Sequence, residues 1–283
     1  MTEILRGKPV ADKLKGEIIE RVGKLKERGH NPKLAVVRIG DNPNDVSYER
    51  GILKNCTNLG IETEVFEKPV EVTTEEMLEL FDKLNNDASI SGILLFRPVP
   101  KHVDEEALRY AINPDKDVDC MHPINLARVF ESDFSKLVPA TPMAAMKVME
   151  YYGIELEGKN VAVINRSLVF GRPIAMMLLS KNATPMICHS RTKDLPQVTK
   201  DADVVVVAIG RARSLGKDYF NEDSIIIDVG VSADKDGKIG GDADFESLEE
   251  YVKMITPVPG GVGSVTTTIL LDQVVKACEL QNS

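Results

Sequence analysis

The stretch Lys159–Leu179, KNVAVINRSLVFGRPIAMMLL, constrains the fold of this chain more than any other. Its first part, Asn160 to Ile164, is a short apolar run without helical period, closed abruptly by Asn165-Arg166-Ser167. Such a run, bounded by polar turn residues, predicts a strand buried on both faces of a parallel sheet. A tight turn and a helix from about Gly171 follow. At a turn of this kind backbone N–H groups and the helix dipole face an anion, which is how a Rossmann unit holds the pyrophosphate of a dinucleotide. The three-glycine fingerprint is not met: only Gly171 is present, with Asn165 and Ser167 at the first two positions. Asn tolerates left-handed backbone and Ser is small, so both suit a tight turn. Any strand–helix turn of a flavodoxin-like sheet shares this pattern, so the rest of the chain must support it.

At 283 residues the chain is long for one core, which predicts two domains. With 43% hydrophobic and 28% charged residues it reads as an ordinary globular protein. A net charge of -9 argues against a general nucleic-acid binder, which needs a basic face, but leaves room for a local basic pocket. Cys56, Cys120, Cys188 and Cys278 lie far apart with no C-x-x-C, the pattern of reduced thiols in a reducing cytosol. The first ten residues hold no apolar signal core, and no run approaches the ~18 residues of a membrane span. A cytoplasmic protein is expected.

In chain order, Gly7 to Gly29 predicts a helix with apolar residues three or four apart, and Leu34 to Gly40 a buried strand. Asp45 is expected to cap a helix ending before Gly60. A strand (62–67), a helix opened by Thr74 (74–84) and a strand (91–96) complete a βαβαβ unit, hence a small parallel sheet with right-handed crossovers. Ligands of such sheets sit beyond the carboxyl ends of the strands, which places Tyr48 and the Arg97-Pro98-Val99-Pro100 loop near one site. The acidic segment Asn113–Asn125 reads as a hinge. Its three Asp lack the spacing of a hard-cation loop, so no metal is expected. A helix with Thr141 as its cap and Pro142 at its first position then leads into the second domain. There four strands, the second ending by Thr192 and the others near Gly210 and Gly230, make a doubly wound α/β fold.

Cofactor choice follows from charge. An NAD site places a carboxylate at the end of the second strand to accept from the ribose hydroxyls, whereas a 2′-phosphate is matched by Arg. Here that strand ends in His189-Ser190-Arg191-Thr192, and Arg166 lies in the first turn. Two guanidiniums and a hydroxyl favour NADP, with NAD as the alternative if the arginines turn outward.

Several blocks together resemble one family over essentially the full length. They are Gly40–Pro43 with Tyr48, Lys54, Cys56 and Gly60-Ile61, then Ser91–Leu94 with Pro98 and Pro100. Pro114–Asp119 with His122-Pro123 and Asn125, and Arg166-Ser167 with Phe170–Pro173, follow. Cys188–Thr192, Ile226–Val231, Gly241–Phe245 and Thr256–Gly263 complete the set. On these the chain is identified as a member of the bifunctional methylenetetrahydrofolate dehydrogenase/methenyltetrahydrofolate cyclohydrolase family. The resemblance implies a catalytic domain (1–138 plus 264–283) and an NAD(P)-binding Rossmann domain (139–263), with a folate and cofactor cleft between them. It also implies tetrahydrofolate derivatives as ligands, a place in one-carbon metabolism and purine biosynthesis, a homodimer, and no nucleic acid or membrane partner. For site residues it implies Tyr48 and Asp119 against the folate, and Pro259, Gly260 and Gly261 as close backbone contacts. Asn165, Arg166, Ser167, Gly171, Arg172, Pro173, Ser190, Arg191, Gly210, Gly230 and Val231 would hold the cofactor. His122 and His189 are expected to be structural.

The chain departs from the family where the hydrolytic chemistry sits. The family's Lys in the helix containing Tyr48 is Ile52, and its Gln after the third strand is Phe96, while Lys54 matches a second, non-catalytic lysine. Cys120, Ala140, Asn165, Ala212 and Ser264-Val265 also replace usual residues. Hydride transfer from the folate's methylene bridge needs aligned rings and no proton carrier. Hydrolysis of the methenyl product needs a polarising or acid–base group, which Ile and Phe cannot provide. The expectation is a dehydrogenase whose cyclohydrolase is weak or absent, served by a separate cyclohydrolase. The alternatives are a bifunctional enzyme using Asp45 or Asp119, and a non-catalytic folate or nucleotide binder.

Overall fold

The computed structural model describes all 283 residues and divides into two compact units. The first comprises Leu14–Ala140 and Leu270–Ser283, the second Met1–Lys13 and Thr141–Ile269. The chain opens with β1 (Glu3–Ile4) and α1 (Gly7–Glu27). The first unit then carries β2 (Lys33–Ile39), α2 (Pro43–Leu59), β3 (Glu62–Lys68), α3 (Thr74–Asn86), β4 (Gly92–Leu95), α4 (Glu105–Ala111) and α5 (Pro123–Phe130). Its three strands are all parallel in the order β3-β2-β4. Leu34–Val37 and Gly92–Leu95 are buried throughout, as a strand covered on both faces requires. Met77, Phe81, Ile90, Ile93 and Leu108 fill the core on one side.

The second unit holds α6 (Ala140–Tyr151, entered from the first unit), β5 (Asn160–Ile164), α7 (Gly171–Leu179), β6 (Thr184–Cys188), α8 (Leu195–Lys200), β7 (Val204–Val207) and β8 (Ile225–Asp228). A hairpin of β9 (Ser232–Ala233) and β10 (Ile239–Gly240), then α9 (Phe245–Leu248) and β11 (Met254–Ile255), follow. The last helix is α10 (Gly263–Gln281). Its sheet runs β1-β11-β8-β7-β5-β6, parallel throughout. Four of these strands match the expectation. β1 and β11 are two residues each, too short to leave a period in the sequence. Because β1 pairs with β11, residues 1–13 belong to the second unit rather than with 14–138 as expected. The border within α10 falls at 269/270 rather than 263/264. From there on the helix is tied to the first unit: Gln273 Oε1 accepts from Val138 N at 3.4 Å, and Lys276 Nζ donates to Phe134 O and Lys136 O.

Four local expectations change. α6 begins at Ala140, so Thr141 and Pro142 lie inside its first turn rather than at its cap and first position. The cap of α2 is Asn42, whose side chain accepts from Asn44 N with Pro43 at the first helical position, so Asp45 lies inside the first turn. The cap of α3 is Thr73, in a reciprocal box with Glu76, one residue before Thr74. The segment Asn113–Asn125 is no hinge but the edge of a core. Asp117 is fully buried, bridges to Ile93 of β4, and accepts from Met121 N, His122 N and Asn125 Nδ2 at 2.8–3.0 Å.

Candidate functional site

In the second unit β6 follows β5 on one side and β7 lies on the other, so β5 marks the topological switch of the sheet. Ligands of open parallel sheets bind outside the carboxyl ends of strands at such a point. A cavity of about 570 Å³ lies there, lined at the strand ends by Ile164, Cys188 and Ala208. A second cavity of about 590 Å³ sits at the opposite, amino ends of the strands, against Lys159, Asp203 and Ile225. Topology assigns the ligand to the first.

The turn after β5 is held by Asn165. Its Oδ1 accepts from Ser167 N at 2.8 Å and Gly171 N at 3.0 Å, and its Nδ2 donates to Ala208 O at the end of β7. The side chain thus ties two strand ends together and organises the turn where a glycine would have left it open. A Cβ on Gly171 would overlap the Asn165 carbonyl, so this glycine is set by close backbone approach. Asn165, Arg166, Ser167 and Ser190 of the expected cofactor set line the cavity, and so does His189, for which a structural role was expected. Arg211, Ser214 and Tyr219 line it too and were missed, although Arg211 directly follows the expected Gly210. No carboxylate is among the lining residues. Two guanidiniums with serine hydroxyls therefore fit a phosphorylated dinucleotide.

Other expected cofactor residues lie elsewhere or do other work. Arg191 is exposed outside this lining, its N donating to His189 Nδ1 at 3.1 Å, and Arg172 Nε donates to Arg166 O at 3.2 Å. Pro173 is buried in α7, and Val231 is exposed. Gly210 has φ +69° and open space beyond it. Gly230 makes room for a side chain of the protein itself, because a Cβ there would fall inside the Asp242 carboxylate. Asp242 accepts from the N–H groups of Ile209, Gly210 and Arg211, fixing the loop after β7. Asp228 does the converse, seating its carboxylate where Gly241 lacks a Cβ and accepting from Gly230 N at 3.0 Å and Ala243 N at 2.8 Å. Burial pushes Asp228 up to about 7, helped by the Asp242 charge and opposed by those donors. In the Pro259-Gly260-Gly261 turn, Gly260 has φ +102° and its carbonyl accepts from Gly7 N at 2.8 Å.

In the first unit Tyr48, Ile52, Phe96 and Asp119 come from α2, the end of β4 and the segment anchored by Asp117. Ile52 is fully buried and Phe96 nearly so, while Lys54 is exposed two residues on from Ile52. The half-exposed Tyr48 ring packs at 5.4 Å from that of Phe96, tilted by 40°. Asp119 Oδ2 accepts from Arg97 Nη2 at 2.6 Å. Burial raises the Asp119 carboxyl, against the pull of Arg97. Beneath Tyr48, buried Arg38 of β2 donates through Nε to buried Glu49 of α2 at 2.8 Å, and also reaches Gly40 O and Glu67. The loop beginning at Arg97 was expected near Tyr48, but Arg38, Glu49 and the pairing of Arg97 with Asp119 were not, since an isolated charge carries no sequence period.

The fold and the turn after β5 define a dinucleotide-binding α/β protein with another unit built on a smaller parallel sheet. Residues 5–119 match the catalytic domain, and residues 139–282 the NAD(P)-binding domain, of tetrahydrofolate dehydrogenase/cyclohydrolase. The chain belongs to the tetrahydrofolate dehydrogenase/cyclohydrolase family. It is 53% identical over 279 residues to the bifunctional protein FolD of Clostridium botulinum, with 99% of each chain covered. Identity to the Clostridioides difficile protein of that name is 49%, over 99% of this chain and 98% of the other. Among solved structures, the bifunctional FolD of Campylobacter jejuni matches with a TM-score of 0.96 at 39% identity, covering 99% of both chains. The Trypanosoma brucei dehydrogenase-cyclohydrolase, solved with NADP and an inhibitor, matches at 0.91 and 30%, over 99% of this chain and 98% of that one.

Proposed function

We propose that this protein oxidises 5,10-methylenetetrahydrofolate to 5,10-methenyltetrahydrofolate by hydride transfer to NADP+, with little or no cyclohydrolase activity. Bound NADP+ supplies the nicotinamide carbon that accepts the hydride. Arg166, Arg211, Ser167 and Ser190 hold its phosphates, with Arg191 at the 2′-phosphate. Tyr48, steadied by Phe96, lies against the pteridine, and Asp119 accepts from its N–H groups. Pro259, Gly260 and Gly261 are proposed as further backbone contacts. The cation left after hydride loss is stabilised by its own two nitrogens, so oxidation asks only for position.

Ile52 carries the second half of the proposal. It is wholly buried at the family's lysine position, with Phe96 at the glutamine position, and neither moves a proton. A lysine there would need a polar partner to offset its burial, so joint replacement of the pair is physically coherent. A second reading, a bifunctional enzyme like the relatives' names, is favoured by one observation: Asp119 is partly exposed with its carboxyl raised, as a hydrolytic acid would be.

One experiment separates these. Protein, methylenetetrahydrofolate and NADP+ or NAD+ are mixed, and reduced nicotinamide and methenyl product are followed by absorbance. Reduction with methenyl product decaying only at the buffer rate is expected. Protein-dependent hydrolysis, lost in Asp119→Asn, would establish the second reading, and no reduction with either cofactor would leave a binding protein. A cytoplasmic location and a homodimer are proposed with it, the homodimer tested by sizing chromatography, and a separate cyclohydrolase is expected to supply hydrolysis.

A further inference from the structure

We propose that Arg97 determines specificity, forming with Asp119 a donor–acceptor edge that reads the 2-amino-4-oxo side of the pteridine. This rests on the folate reading above. Arg97 follows Phe96, whose N–H donates to Val37 O at 2.9 Å and so extends the register of β4 by one residue. Asp119 stands two residues beyond Asp117, which is bridged to Ile93 and locked by three donors. Both groups are thus mounted on the carboxyl end of the same sheet.

Their single hydrogen bond, Arg97 Nη2 to Asp119 Oδ2, leaves capacity on each side. Arg97 Nη1 is 3.6 Å from Glu105 Oε1, beyond hydrogen-bond reach, and neither Arg97 Nε nor Asp119 Oδ1 has a hydrogen-bond partner in the protein. The two side chains keep 25% and 31% of their surface exposed. An ion pair this wet adds little to stability, so its place is poorly explained by folding.

A 2-amino-4-oxopyrimidine ring presents two N–H donors and then a carbonyl acceptor along one edge. A carboxylate alone matches the donors and leaves the carbonyl without a partner. The adjacent guanidinium supplies the missing donor, charged and held in a planar fork. A 4-amino ring would set a donor against that fork, and a site built to hydrogen-bond one group rejects its mismatch strongly.

The test uses folic acid and its 4-amino analogue, which replaces the C4 carbonyl by a donor and loses the N3–H, titrated by calorimetry into the protein with NADP+. Wild type is expected to bind the 4-oxo ligand at least about tenfold more tightly, the worth of one charge-assisted hydrogen bond. Arg97→Leu is expected to lower the ratio by weakening the 4-oxo ligand, leaving only the share that Asp119 contributes at N3–H. If Arg97→Leu does not fold, Arg97→Gln decides, since losing the charged fork must lower the ratio as well. A ratio unchanged by substitution overturns the proposal and leaves the folate reading standing. Failure of wild type to bind either ligand overturns both.

Discussion

The two sites of this molecule are held by different means. In the second unit the ligand-facing loops are fixed by backbone donors: Asn165 gathers two N–H groups, Asp242 three, and Asp228 two. Two glycines there make room for the protein's own carboxylates, Gly230 for Asp242 and Gly241 for Asp228. In the first unit the groups proposed to face the ligand are individual side chains, Tyr48, Phe96, Arg97 and Asp119. A site built on backbone tolerates exchange of many side chains, because the N–H groups persist. A site built on side chains changes its chemistry with one or two substitutions, which is the basis of the proposal made for Ile52 and Phe96.

The contrast is broken most severely at Arg38. It and Glu49 are both almost wholly buried, and removing one partner leaves an uncompensated charge. Arg38→Ala is expected to cost about 3–5 kcal/mol in denaturant unfolding, whereas joint replacement by Met and Leu recovers most of it. If the double variant retains oxidation with a raised KM for the folate, the pair positions Tyr48 on α2; an unchanged KM makes it a packing element only. Next in size is Gly230→Ala, which pushes Asp242 off its three donors. A loss of about 1–3 kcal/mol is expected, as for overpacking elsewhere, together with weaker cofactor binding. Full stability and activity would show that the backbone-held loop is less rigid than its hydrogen bonds imply.

How legible these features were in the sequence depends on period and length. Buried strands such as Val204–Val207 announce themselves as apolar runs, and Gly60 marks a helix stop with its φ of +75°. The strand β1 did not, because two residues hold no alternation, and its partner lies about 250 positions away. Asn165-Arg166-Ser167 marked the turn after β5 in the sequence, and all three residues line the cavity there. Asp242 was not, since an aspartate in a loop reads as solvent-facing until its three donors are placed. Glu49 was opaque for the same reason, and Arg97 was placed near the site without its partner Asp119, because which charges meet is a property of the fold.

A smaller effect sharpens the cofactor side. Arg166 lines the cavity, while Arg191 is exposed outside it. If both face the 2′-phosphate, Arg166→Ala and Arg191→Ala each raise the KM for NADP about tenfold, or about 1.4 kcal/mol, and leave that for NAD nearly unchanged. An effect at Arg166 alone would transfer the second contact to Arg211.

The smallest expected effect is in pH. Burial pushes Asp228 up to about 7, against 3.8 for an unperturbed carboxyl. Between pH 7 and 8 the unfolded chain has already lost this proton while the folded protein still holds part of it, so unfolding releases protons and stability falls as pH rises. The stability tied to Asp228 is complete below the unfolded value and fades through the folded one. Its slope cannot exceed about 1.4 kcal/mol per pH unit for a single proton. Asp117, raised by burial to about 6, acts in the same direction just below this window, where His122, lowered by burial, acts in the opposite one. Denaturant unfolding at half-unit steps across the window should therefore show a decline in wild type. Asp228→Asn, which binds no titrating proton but loses one of the two N–H contacts, should start lower and stay flat. A flat wild-type profile would mean that the Gly230 and Ala243 donors outweigh burial, making the second unit's backbone-held site stronger still.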